Sequence, residues 1–201
     1  MAVTGLIMIG FVIGHLLGNL LVFRGSQEMN EYADFLKGLG GLLWLVRAGL
    51  LVSVILHVIA AVQLTRRMRA ARPVGYTERD PQVSTLGART IRWGGLLLAI
   101  FIVYHLLHFT FGSAHPAFDR RDVYGNIVAG FQVWWVSVFY LVAMAALGLH
   151  LYHGAWSSLR TLGVAQSRGN PLKRVVAPIL AIFLWLGFSA IPIGVLLGLV
   201  K

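Results

Sequence analysis

Cysteine is missing from all 201 residues of the chain. No disulfide, thiol redox couple, protein-held iron–sulfur cluster or covalent C-x-x-C-H haem attachment can be built from it, so any iron–sulfur centre it works with has to sit on a partner. Charge is scarce as well, at 12% of residues, while 58% are hydrophobic and the mean hydropathy is +0.77. That balance excludes an ordinary soluble domain and points to a membrane. Only seven residues are acidic, and none of them falls inside a long apolar run. Proton pumps and ion-coupled transporters usually mix carboxylates with histidines in the membrane, so the lack argues against both.

A helix that crosses a bilayer needs roughly 20 apolar residues. Five stretches qualify: Val3 to Phe23, Leu42 to Leu64, Trp93 to Phe111, Ile127 to Trp156 and Val175 to Val200. The expected fold is an all-α, five-helix transmembrane bundle forming one domain over residues 1–201, since no loop between the runs is long enough to fold alone. The first run is full length and begins almost at Met1, which reads as a retained span rather than a cleaved signal peptide. Pro178 and Pro192 in the fifth run remove two backbone donors, and that run has no histidine, so its expected work is packing.

The net charge of +10 would suit nucleic acid in a soluble protein. In a polytopic one it is the mark of topogenic loops, and no nucleic-acid partner is expected. Loops two and four carry Arg66, Arg67, Arg69, Arg72, Arg79, Arg89, Arg92, Arg160, Arg168, Lys173 and Arg174 against Glu78 and Asp80, a surplus of nine. The other side holds Arg24, Lys37, Arg47, Arg120, Arg121 and Lys201 against Glu28, Glu31, Asp34, Asp119 and Asp122, a surplus of one. Basic loops stay cytoplasmic, which places the N-terminus inside and Lys201 outside.

Histidine is the residue that stands out in the apolar runs. An ionisable side chain is costly to hold there, so by default it marks a functional site with a partner to be found. Six of the seven histidines lie in or beside these runs: His15, His57, His105, His108, His150 and His153. His115 follows Gly112 in a loop and reads as ordinary surface. Gly10, Gly14 and Gly18 recur every fourth residue beside His15, leaving a groove against which a flat cofactor or another helix could lie.

Depth follows from about 1.5 Å of rise per residue. His15 lies roughly 12 Å inside the end of its run at Phe23, and His105 roughly 9 Å inside Phe111, so these two share an outer level. His57 and His150, at similar distances from Leu64 and Trp156, share an inner level. One histidine from each of two helices at each of two levels is what two stacked haems need for both axial positions. The inferred pairs are His15 with His105 and His57 with His150. A zinc site would instead gather three or four ligands at one point. His108 and His153, one turn closer to water, could replace a neighbouring ligand, hydrogen-bond a propionate or simply be interfacial.

Four motifs carry a family likeness: F-V-I-G-H-L-L-G-N-L around His15, L-H-V-I-A-A-V-Q-L-T-R-R-M-R-A-A-R-P from Leu56, R-W-G-G-L-L-L-A-I-F-I-V-Y-H-L-L-H-F around His105, and G-L-H-L-Y-H-G-A-W-S-S-L-R-T-L-G around His150. In this order they resemble the succinate dehydrogenase cytochrome b subunit in its single-chain, five-helix, two-haem form; the fifth run matches only in length and composition. The resemblance implies two haem b groups with His15, His57, His105 and His150 as axial ligands of the haem iron. It also implies a flavoprotein subunit with FAD and an iron–sulfur subunit as partners, a membrane quinone, commonly menaquinone, as electron carrier, and the bacterial cytoplasmic membrane as location. Arg24 on one side and Arg92 or Arg160 on the other are reasonable propionate partners. Trp156, Ser157 or the Glu28 to Asp34 stretch could offer donors to a quinone. The open alternatives are a di-haem cytochrome b of a hydrogenase or formate dehydrogenase, and a haem-free anchor or transporter whose histidines bond neighbouring helices.

Overall fold

The computed structural model describes residues 1–71, 86–164 and 175–201 of the chain, with the side chains of 86–88 excepted. The basic-loop residues Arg72, Glu78, Arg79, Asp80, Arg168, Lys173 and Arg174 lie outside the described residues. All regular structure among the described residues is helical: α1 (Ala2–Asn19), α2 (Ser26–Gly38), α3 (Gly41–Ala70), α4 (Leu86–His105), α5 (Val123–Gln132), α6 (Trp134–Thr161) and α7 (Ala177–Leu196). Five helical segments are long and apolar enough to cross a membrane: Ala2–Arg24, Gly41–Ala70, Arg89–Thr110, Trp134–Thr161 and Ala177–Leu196.

The expected spans need correcting at three places. The stretch Arg24 to Lys37, left between the first two runs, is largely the helix α2, because polarity only tells that it leaves the apolar layer and not that it lacks helix. α3 runs on past Leu64 to Ala70 and carries Arg66, Arg67 and Arg69 on its last turns, where cations suit the helix dipole. The expected fourth span, Ile127 to Trp156, is two helices. The chain turns a corner at Val133, with φ −75° and ψ 102°, although neither Gly nor Pro stands there. Ser137 stabilises the corner by donating its hydroxyl to the Phe131 carbonyl at 2.6 Å, one of the groups that the end of α5 leaves without a helical partner.

α1 ends in a tighter turn, Leu20–Arg24, and Gly25 at φ +119° reverses the chain into α2. α4 ends in the opposite way, in a widened turn over Leu106–Thr110 whose amide of Phe111 reaches back to the Leu106 carbonyl at 2.9 Å. Such wide turns are rare and frequent at functional sites. In α7, Pro178 sits in the first turn, where its missing donor costs nothing, while Pro192 lies buried inside the helix.

α6 is the axis of the bundle and packs against α7, α4 and α1. Leu16 of α1 fills the space beside Gly187, and Trp185 lies against Gly148, so small residues set the closest helix approaches. α3 rests mainly on α1 and is peripheral: 6% of its apolar window is buried against 39% of that of α7. Exposed tryptophans mark both ends of the spans, Trp44 and Trp134 at one and Trp93 at the other, where amphipathic rings favour the membrane interface.

The short helices α2 and α5 cap one end. Asn30 of α2 donates to Asp122 at 3.0 Å and accepts from the Tyr124 amide at 3.0 Å. Lys37 donates to the Arg120 carbonyl at 3.2 Å, and the Tyr124 hydroxyl to the Lys201 carbonyl at 2.9 Å. Beneath this polar seam, Val22, Met29, Ile127, Phe131, Val136, Tyr140, Ile191 and Val195 form the larger apolar core.

Candidate functional site

Four helices deliver four histidines as two pairs. His15 on α1 faces His105 at the end of α4, with ring centres 5.9 Å apart and planes at 85°. His57 on α3 faces His150 on α6, with ring centres 6.3 Å apart and planes at 56°. The principal packing of α4 is on α6 and that of α3 on α1, so each pair reaches across a gap between helices that do not pack closely.

The spacing can be compared with what a metal between two rings requires. Two imidazole–metal bonds of about 2 Å in line, each with a further ~1 Å from nitrogen to ring centre, put the centres about 6 Å apart. The ring centres of both pairs meet that figure. Among the described residues no group of three or more His, Asp or Glu gathers to hold a metal ion.

The surroundings prepare the rings. The Thr4 hydroxyl donates to the Met1 carbonyl at 3.0 Å and lies 3.1 Å from His57 Nδ1. With its single proton given to Met1, the hydroxyl can accept from Nδ1–H, and in that tautomer Nε2 carries the lone pair that a ligand needs. His105 Nδ1 lies 3.3 Å from the Tyr140 hydroxyl. His15 is stacked on Phe11 at 5.3 Å and 15°; the Asn19 amide donates to the His15 carbonyl at 2.6 Å and lies 3.3 Å from Nδ1 and 3.4 Å from Nε2 of the ring. His150 Nδ1 is buried without a hydrogen-bond partner among the described residues, beside a recess lined by Thr90, Ile91, Gly94, Ala146 and Leu149.

The glycine stripe on α1 divides in two. A Cβ at Gly10 or Gly14 would meet nothing within 4 Å, whereas one at Gly18 would press against the hydroxyl end of the Tyr32 ring of α2, 2.5–2.8 Å from its atoms. Open backbone therefore flanks His15 on one side, and helix packing uses the other.

His108 is placed differently from its expected position nearer water. It is fully buried at 0% exposure, its Nδ1 is 3.1 Å from the Tyr140 hydroxyl, and its Nε2 has no partner among the described residues. The reason is the cap: α5 covers the end of α4, and Gly130 lets the ring lie against backbone. His115, expected as free surface, is also held. Its Nδ1 accepts from the Ala117 amide at 3.1 Å, so Nε2–H donates to the Asn126 carbonyl at 2.8 Å, and its ring lies 4.9 Å from that of His108.

The remaining candidates stay outside the pairs. His153 and Trp156 are half-buried on α6, and Ser157, Arg160, Arg92 and Arg24 are exposed at helix ends. Glu28, Glu31 and Asp34 are exposed along α2. Thr4 and Tyr140, which address two of the four histidines, were not singled out in the sequence, because a threonine near a terminus and a tyrosine in an apolar helix carry no chemical signature alone.

Outside the spans, Asp122 caps α5. The Gly125 amide donates to it at 2.8 Å, and this bond, with the Asn30 amide second, holds its carboxyl below the ordinary aspartate range.

Comparison of the chain with known protein families, characterised proteins and solved structures gives no match.

Proposed function

We propose that this chain is a membrane-embedded di-haem cytochrome b, holding one haem b between His15 and His105 and a second between His57 and His150. It carries electrons between an iron–sulfur partner and a membrane quinone. A haem held by one histidine from each of two helices would supply one-electron transfer while staying closed to oxygen chemistry. His57 is oriented by Thr4 and His105 by Tyr140, the open backbone at Gly10 and Gly14 leaves room beside His15, and the apolar flanks keep water away. The single observation that carries the reading is the separation of the ring centres, 5.9 Å and 6.3 Å, across two loosely packed helix gaps.

The four motifs extend the proposal to a class. Their resemblance to the succinate dehydrogenase anchor makes this the membrane subunit of a succinate dehydrogenase or fumarate reductase. Its flavoprotein and iron–sulfur subunits, with FAD and the clusters, would dock on the basic cytoplasmic face of the bacterial inner membrane, with menaquinone as electron carrier. The test is a spectrum and subunit identification on one sample purified in mild detergent. Two b-type haems per chain, with His15→Ala and His57→Ala each removing one, is the expected result; a haem content of zero would overturn the proposal.

A further inference from the structure

Three side chains meet where α4 widens. The Tyr140 hydroxyl lies 3.3 Å from His105 Nδ1 and 3.1 Å from His108 Nδ1. All three belong to the buried end of the bundle, with Tyr140 5% and His108 0% exposed. The tyrosine ring cannot swing away, because Phe101 and Phe131 pack edge-on against it at 5.0 Å and 4.9 Å. His108 is held by Tyr104, stacked at 5.4 Å and 22°, and by the backbone of Gly130.

A phenol has one proton, so it can donate to only one of its two imidazoles; the other has to donate to it. If His105 offers its Nε2 lone pair to a metal, its own proton sits on Nδ1 and points at the Tyr140 oxygen. The Tyr140 proton then goes to His108 Nδ1, and His108 keeps its proton on Nε2, the atom that has no partner among the described residues. The direction of every bond is settled by that single assignment.

We propose that Tyr140 and His108 are positioning residues for His105, a buried relay that fixes its tautomer and ring orientation so that Nε2 faces the cofactor. The inference rests on the proposed haem site and assigns His108 a role as proton acceptor rather than ligand. Donation from His105 Nδ1–H raises the basicity of the ligating nitrogen, and losing such outer partners typically costs about 10–100-fold in metal affinity.

Tyr140→Phe keeps the packed ring and deletes only the hydroxyl, so it separates orientation from folding. Loss of haem from the purified complex to an excess of haem-free globin should become about 10–100-fold faster for one of the two haems. The midpoint potential of that haem should rise while that of the other stays. His108→Phe should move the same haem in the same direction but less, because Tyr140 can still accept from His105. His108→Asn, whose amide oxygen can take the Tyr140 proton, should restore it. Unchanged release and unchanged potentials in Tyr140→Phe would overturn the relay, as would equal loss of both haems, which would mark a merely structural role. Wild-type protein without haem would overturn the proposed function itself.

Discussion

The Thr4 hydroxyl and the His57 imidazole, 53 positions apart in the chain, meet at 3.1 Å, and the hydroxyl proton is already given to the Met1 carbonyl. The first turn of α1 thereby sets the tautomer of a residue on α3. Thr4→Val preserves shape and removes the acceptor, so if the chain holds the two haems proposed above, the one at His57 should be released about 10–100-fold faster, with that of the other pair unaffected. Thr4→Ser should restore retention. Release rates of the two haems, resolved by their spectra, check it.

The two halves of the glycine stripe respond oppositely to a methyl group. In the haem-free protein Gly10→Ala meets open space and should be neutral or stabilise α1 by up to about 1 kcal/mol. Gly18→Ala drives a Cβ into Tyr32 and should cost about 1–3 kcal/mol, the usual range for overpacking. Thermal unfolding in one detergent compares the two. Equal effects would mean that Gly18 is not where α1 and α2 lock together.

Asp122 ties the capped end to pH. Its carboxyl is held below the ordinary range, so the charged form is the bonded one. Its stabilisation is present above the unfolded-state value, about 3.9, and is lost as pH falls through the lower folded value. The protection of the α5 amides, as exchange relative to the intrinsic rate at each pH, should therefore fall more steeply on acidification in wild type than in Asp122→Ala. At neutral pH the substitution should cost roughly 1 kcal/mol of capping.

Orientation has its own test. With a surplus of nine charges on the loops at one end and one at the other, the capped end carrying α2, α5 and Lys201 should face the exterior. A phosphatase reporter fused after Lys201 should be active; a fluorescent signal from a cytoplasm-only reporter at the same point would reverse the topology.

Composition was enough to locate five apolar spans, because hydrocarbon thickness demands long uninterrupted runs and leaves their signature in any sequence that meets it. The corner at Val133 was illegible for the same reason. Hydropathy continues through N-I-V-A-G-F-Q-V-W-W, and the break depends on Ser137 reaching a carbonyl six residues back. α2 was hidden because polarity reports where a segment lies and not which backbone it adopts.

Residue order was enough to show a helical chain with five membrane-length segments, and histidines without carboxylates within them. It also ordered those histidines by depth, since rise along a helix is constant. What each ring touches is set by how the helices pack. His108 is buried and not near water because α5 folds over it, and Thr4 and Tyr140 become partners of histidines because helix rotation and packing bring distant positions into hydrogen-bond range. Depth is a one-dimensional property that spacing carries; orientation around a helix axis depends on which neighbours press on it, and that is set by the whole bundle.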